Sequence, residues 1–308
     1  MTAQPGTGSA GPARAGTAEP RVVTTRAALA AALVDRPARR AVVMTMGALH
    51  AGHLTLVREA RSMADQVVVT IFVNPLQFGP SEDLQSYPRD LVRDVELLAA
   101  AGADLVFAPT VDEVYLGGAP VVRVTAGGLG ELWEGAQRPG HFDGVLTVVL
   151  KLLHLIRPDV ALFGQKDAQQ LMAVRRMVRD LDVGVDVVAV PTVRDPDGVA
   201  LSSRNAYLGP DDRPVARTLS QSLHAGRAVA LAGGGGDAVL AATTGVLAAQ
   251  TGLVVDYAAL MDPVTARSVA DGHRGEAVLA VAGRVGSTRL IDNVVLELVG
   301  DQGQEEDR

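Results

Sequence analysis

AVVMTMGALHAGHLTLVREARSMADQVVVTIFV, residues 41–73, is the stretch that decides the fold. Ala41 to Met46 is a short apolar run before a glycine and predicts a buried strand. Leu54 to Ala64 has helical apolar spacing, and Gln66 to Val73, β-branched and apolar throughout, is the clearest strand of the chain. Strand, turn, helix and strand in that order predict a parallel βαβ unit. The alternation continues downstream. Leu91 to Ala101 predicts a helix, Asp104 to Pro109 a strand and Val121 to Ala126 another strand. Val145, Val148, Val149, Leu152, Leu153 and Ile156 fall on one helical face. Val160 to Gly164 predicts a strand, Ala168 to Leu181 a helix and Val185 to Pro191 a strand. The fold class is α/β, a doubly wound parallel sheet.

After about residue 192 the pattern changes. Two helical stretches, near Arg213 to Leu231 and Asp237 to Gln250, are joined by a run of four glycines. VVDYAALMD, GEAVLAVAG and STRLIDNVVLEL then predict a smaller antiparallel sheet. A boundary is expected in PTVRDPDGVALSS, where Pro191, Pro196 and Gly198 cluster. Residues 21–192 then form the larger domain and 193–300 a smaller α+β domain. Residues 1–20, rich in Gly, Ala, Pro and Thr, read as a disordered tail, and 301–308 as a short acidic one.

Composition narrows the function. Lys and Arg number 28 against 35 Asp and Glu, a net charge of −7. Nucleic-acid binding through a broad basic surface is disfavoured, because phosphate contacts need clustered positive charge. The chain has no cysteine, which excludes disulfides, thiolate catalysis and cysteine-ligated zinc and fits the cytoplasm. No apolar run approaches the roughly 20 residues that span a bilayer, and no secretory h-region stands near the start. No membrane partner is expected.

Several stretches can carry chemistry. In TMGALHAGH, Thr45 to His53, a strand ends, Gly47 turns the chain and a helix begins near Gly52 or His53. A helix N-terminus favours phosphate, and His50 and His53, three apart, can face one point there. Gly52 between them would let a nucleotide approach the backbone. FGQKDAQQ, Phe163 to Gln170, sits at a second strand-to-helix junction. Lys166 can neutralise phosphate charge. Asp167 is as well suited to capping the helix as to catalysis, and Gln169 and Gln170 are ambiguous. In LSSRNAYLG, Ser202, Ser203 and Arg204 offer donors in a row, as a triphosphate or a capping turn would use. Asn74 and Gln77 lie just past the carboxyl end of the clearest strand, where ligands of open α/β sheets bind. Asp83, Tyr87, Arg89 and Asp90 read as surface or salt-bridge residues, Trp133 as packing, and His141 as a ligand contact or a helix-entry residue. The absence of GxxxxGK[ST] and of GxSxG disfavours a P-loop enzyme and an α/β-hydrolase. Zinc held by histidines is disfavoured, so no metal site is assigned.

TMGALHAGH, IFVNPLQFG, YPRD, RPGHFDG, FGQKDAQQL and LSSRNAYL, in that order over about 160 residues, closely resemble the pantoate–β-alanine ligase family of the HxGH nucleotidyltransferase superfamily. The resemblance implies a Rossmann-like domain with a C-terminal lid, usually a homodimer, and ATP-dependent condensation of pantoate with β-alanine. ATP would be a substrate accompanied by Mg2+, with no organic prosthetic group. It implies that His50 and His53 hold the phosphates and that Lys166 contacts them. Asp167 and Gly164 would meet the ribose, with Gly52 beside the adenosine. Met46, Val193 and Leu201 would complete the ATP site, closed by Ser202, Ser203 and Arg204. Gln77 and Gln170 would bind pantoate against a wall of Met46 and Phe163. Two positions depart from the family's usual PTMGALHEGH: Met44 replaces proline and Ala51 replaces glutamate. Two other functions stay open on the residues: an adenylyltransferase that keeps AMP in its product, and an inactive nucleotide sensor.

Overall fold

The computed structural model describes residues 19–80, 82, 84–270 and 272–299. The two tails and Asp83 lie outside the described residues, apart from Glu19 and Pro20. In chain order the large domain holds β1 (Arg21–Val23), α1 (Arg26–Ala32), β2 (Arg40–Thr45), α2 (Ala51–Met63), β3 (Gln66–Ile71), α3 (Leu91–Ala101), β4 (Leu105–Phe107), α4 (Val111–Val114), α5 (Trp133–Gln137), α6 (His141–Ile156), β5 (Val160–Gly164), α7 (Ala168–Asp180) and β6 (Asp186–Val190). The smaller region follows with α8 (Asp212–Leu231), α9 (Gly236–Ala248), β7 (Leu253–Met261), β8 (Gly275–Val285) and β9 (Thr288–Leu298).

The first sheet has the order β1-β4-β3-β2-β5-β6 and its pairs are parallel. Its strands are continuous apolar runs because helices cover both faces. Val42, Val68 and Ala161 face the core under α6 and α7, while Ala41, Val43, Val67 and Val69 face the core under α2 and α3. The chain winds outward one way from β2 through β3 and the other way from β5. A crevice therefore opens beyond the carboxyl ends of β2 and β5, the place where the winding reverses.

β7-β8-β9 form an antiparallel sheet. One face packs with α8 and α9. Ala259, Val278 and Ala280 on the other face pack on Ala168 and Met172 of α7. The small sheet is thus clamped to the helix that starts at Lys166's own turn.

The expected strand at Val121 to Ala126 does not form. Val121 and Val122 are 99% and 87% exposed, and the backbone N–H groups of Val124 and Ala126 donate to Thr147 Oγ1 and Asp143 Oδ1 of α6 at 3.0 and 2.7 Å. β-branched residues favoured a strand, but side-chain acceptors on a neighbouring helix took its donors. The sheet edge beside β4 belongs instead to β1, three residues at the start of the domain for which the sequence predicts no element.

Candidate active site

The turn after β2 is built by backbone demands. Gly47 has φ +85°, and a Cβ there would meet Asp94 Oδ2 at 3.0 Å. Ala48 follows with φ +52°. Asp94, buried on α3, accepts from the N–H groups of Ala48 and Leu49 at 3.0 and 2.8 Å. The loop is thereby tied down just before His50.

α2 begins at Ala51 with His50 as its N-cap, slightly earlier than the sequence suggested. His50 Nδ1 accepts from Gly52 N at 3.2 Å, and His53 Nδ1 accepts from His50 N at 3.4 Å. The two ring centroids lie 4.1 Å apart, with the planes tilted by 35°. A Cβ on Gly52 would sit 2.9 Å from His50 Cε1, so this glycine first of all makes room for the ring. Burial and then the Lys166 charge lower the His50 imidazole to about 4. Burial and then His50 lower His53 to about 3. Both rings are neutral at pH 7, and with Nδ1 accepting, the proton resides on Nε2. The pair offers two uncharged N–H donors, suited to phosphoryl oxygens without the desolvation cost of buried cations.

Every residue assigned above to ATP or pantoate lines one cleft of about 250 Å³. Met46, His50, Gly52 and His53 come from the β2–α2 turn, and Phe163, Gly164, Lys166, Asp167 and Gln170 from β5 and its turn into α7. Gln77 comes from the loop after β3, and Val193, Leu201, Ser202, Ser203 and Arg204 from the segment between β6 and α8. Met44 also borders the cleft.

The structure resolves the ambiguous residues. Asp167 occupies the N-cap of α7 without a side-chain cap bond. Burial raises its pKa, but Lys166, His141, Arg204 and Arg138 outweigh that and hold the carboxyl below its usual range. Gln169 is buried and clamps the 129–134 turn, donating to the carbonyls of Leu129 and Leu132 and accepting from Glu134 N at 2.9 Å. Gln170 is the one that faces the cleft. Ser202 does cap a short 3-10 turn, Ser203–Tyr207, accepting from Arg204 N at 3.3 Å, and the turn also lines the cleft. Trp133 packs on Tyr257 and also donates to the carbonyl of Ala266 at 2.7 Å, a hook onto the small sheet's side.

Other residues were missed or misread. Tyr87, expected at the surface, is buried edge-on to Phe78 and lines the cleft. Asp90 caps α3 and Arg89 holds the carbonyls of Tyr87 and Leu84. His141 opens α6, which bears out its helix-entry reading, and it also lines the cleft. Its Nδ1–H donates to Gln77 O at 2.8 Å, which leaves Nε2 to accept from Arg138 at 3.0 Å. Burial and then Arg138 lower it to about 4. Arg138 in turn holds Glu82 at 2.6 and 2.8 Å. Asn293 of β9 donates to the carbonyls of Gln165 and Lys166 at 2.9 and 2.7 Å. Asp94 had a legible signal: an aspartate at core spacing with Leu98 and Ala101 on an otherwise apolar stripe.

A histidine, lysine and serine cleft at the switch point of a parallel sheet defines an α/β nucleotide-binding protein. The family model described as Pantoate-beta-alanine ligase matches residues 21–295. The pantothenate synthetase of Streptomyces avermitilis is 53% identical, across 85% of this chain and 93% of its own length. That of Thermobifida fusca is 54% identical, across 90% and 96%. The crystal structure of pantothenate synthetase from Thermus thermophilus superposes with a TM-score of 0.85 at 52% identity, over 89% of this chain and 98% of that one. The pantoate–β-alanine ligase of Francisella tularensis, complexed with β-γ ATP and β-alanine, gives 0.73 at 31% identity, over 90% and 97%. The chain belongs to the pantoate–β-alanine ligase family.

Proposed function

We propose that this chain condenses pantoate with β-alanine using ATP, through a pantoyl adenylate, and releases AMP and pyrophosphate. The observation that carries the reading is the convergence of His50, His53, Lys166 and the Ser202–Arg204 turn on one cleft, in a chain of this family. The Francisella relative holds both ATP and β-alanine, in keeping with a site for both.

The chemistry suits these groups. A carboxylate is a poor acyl donor because oxide is a poor leaving group. Attack of the pantoate carboxylate on the α-phosphorus forms a mixed anhydride whose leaving group is AMP, and pyrophosphate departs. Negative charge spreads over phosphate oxygens, so positioning and electropositive donors matter more than a strong base. His50 and His53 donate from Nε2 to the phosphates, and Lys166 neutralises charge as it develops. Gly52, Gly164, Asp167, Met46, Val193 and Leu201 enclose the nucleoside, and Ser202, Ser203 and Arg204 close on the triphosphate. Gln77 and Gln170 hold pantoate against Met46 and Phe163. The amine of β-alanine then attacks the acyl carbon and AMP leaves. Magnesium belongs to this reading as the counter-ion of the ATP substrate. The reading also carries a cytoplasmic homodimer and a lid that begins near residue 193 and moves about Pro191 to Gly198, shielding the adenylate from water.

Oxygen labelling tests the route. Pantoate carrying heavy oxygen in its carboxylate should transfer label to AMP. The carboxylate oxygen that the amide does not keep, found in pyrophosphate, phosphate or water and not in AMP, would exclude the adenylate.

A further inference from the structure

A buried string of three side chains sets which end of the Gln77 amide faces the cleft. Its anchor is Tyr115, at the end of α4 and 3% exposed. The next member is Asn74, whose orientation two backbone groups make unambiguous. The N–H of Leu76 lies 3.3 Å from one amide atom of Asn74, which must be the oxygen. The carbonyl of Gly144 lies 3.1 Å from the other, which must be the nitrogen. Tyr115 therefore donates its hydroxyl to Asn74 Oδ1, at 2.7 Å, the shortest bond of the set. Asn74 Nδ2 donates to Gln77 Oε1 at 3.1 Å. Gln77 thus turns its oxygen inward and its NH2 outward, where Nε2 meets the Met46 thioether at 3.1 Å. A thioether is a weak acceptor, so a ligand oxygen displaces it at little cost.

We propose that Tyr115 is a positioning residue for the acid substrate: together with the Leu76 N–H and the Gly144 carbonyl it holds Asn74 in the orientation that donates to Gln77 Oε1, so that the cleft presents N–H donors, not a carbonyl oxygen, to pantoate. The consequence is specific. An outward NH2 donates to a carboxylate or hydroxyl oxygen, whereas an outward carbonyl would repel the carboxylate. The hydroxyl is also dependable as a donor, since burial raises its pKa and keeps it protonated at working pH. The ring is held separately, edge-on to Phe72 and beneath the Lys151 ammonium, so removing the hydroxyl leaves the packing in place. The inference rests on the reading that Gln77 faces pantoate.

Steady-state kinetics on the full chain separate the two. Tyr115→Phe should raise the pantoate KM about tenfold, the size of one lost hydrogen bond, with the ATP KM unchanged. Gln77→Ala should raise the pantoate KM as well, and Tyr115→Phe should add nothing to it in the double variant. A full additional rise in the double variant, an equal rise in the ATP KM, or an unchanged pantoate KM in Tyr115→Phe alone would overturn the relay. An unchanged pantoate KM in Gln77→Ala would remove Gln77 from the proposed function and the relay with it. Should Tyr115→Phe fail to fold, Asn74→Asp tests the link to Gln77 on which the relay depends. Its carboxylate cannot donate to Oε1, so Gln77 turns its oxygen to the cleft and the pantoate KM should rise further. An unchanged value there would equally sink the proposal.

Discussion

The two sides of the cleft hold their functional groups by different physics. On the large-domain side, the groups hang from turns at strand ends, and hydrogen bonds among backbone N–H groups, histidine rings and buried side chains fix them. His50 and His53 brace each other and the first turn of α2, and the buried carboxylate of Asp94 ties the preceding loop. On the side of the smaller region, ion pairs do the holding. Arg194 grips Asp292 at 2.6 and 2.9 Å. Arg213 bonds Asp195 at 2.5 Å and Asp197 at 2.7 and 2.9 Å. These pairs bind the segment between Arg194 and Ala200, which folds back on itself, to α8 and β9. The contrast teaches that a group at a strand end is held by the turn's own hydrogen bonds, while a segment outside the sheet is held by charge pairs to the elements around it.

Acid is the strongest way to break that contrast. His50, His53 and His141 all belong to the large domain, and each is depressed from about 6.5 to about 4, 3 and 4. The sign follows from linkage. Below the unfolded value of about 6.5 the unfolded chain takes up protons that the folded chain refuses. Stability is therefore complete above that value and falls as pH drops through it toward 4. With three groups the slope reaches about 4 kcal/mol per pH unit near pH 5. Hydrogen exchange from pH 7 down to 4.5 should show protection in β2 and α2 weakening before that in β7–β9. Earlier loss in the small sheet would invert the comparison.

Asp292→Ala probes the other side. The carboxylate is 3% exposed, and removing one partner of a buried pair commonly costs about 3–5 kcal/mol. Thermal unfolding should shift down strongly, with new protease cuts between residues 191 and 209. A variant as stable as the parent would show that the pair is screened and does not hold the lid.

Lys166→Ala sharpens the comparison at the junction. Lys166 stands on the large domain, yet its carbonyl is held by Asn293 from the lid. The variant should remain folded with some loss of stability, because Lys166 is the foremost charge that holds the buried Asp167 carboxyl down. Its adenylation rate, measured by rapid quench with ATP and pantoate, should fall about a hundred- to a thousandfold, or 3–4 kcal/mol. Supplying pantoyl adenylate and β-alanine should restore much of the turnover. Near-normal adenylation would return Lys166 to a solvated surface charge.

The sequence by itself determined the alternation of strands and helices, the parallel sheet, the smaller antiparallel sheet and the two strand-end motifs. These are local: apolar periodicity, a glycine turn and a helix start are each written within a few residues. The accepting Nδ1 atoms of His50 and His53 follow from partners two and three residues away. Tertiary structure decided the rest, because the deciding partners are far apart in the chain. β1 is three residues that make a strand only against β4. Val121 to Ala126 has the composition of a strand and lacks one because α6 supplies the acceptors. Asp94 reaches Ala48 across 46 residues, Tyr115 reaches Asn74 across 41, and Asn293 reaches Lys166 across 127. Periodicity reports which face of an element is buried; it carries no information on which distant hydrogen-bonding group waits there, and that group decides how a site residue points.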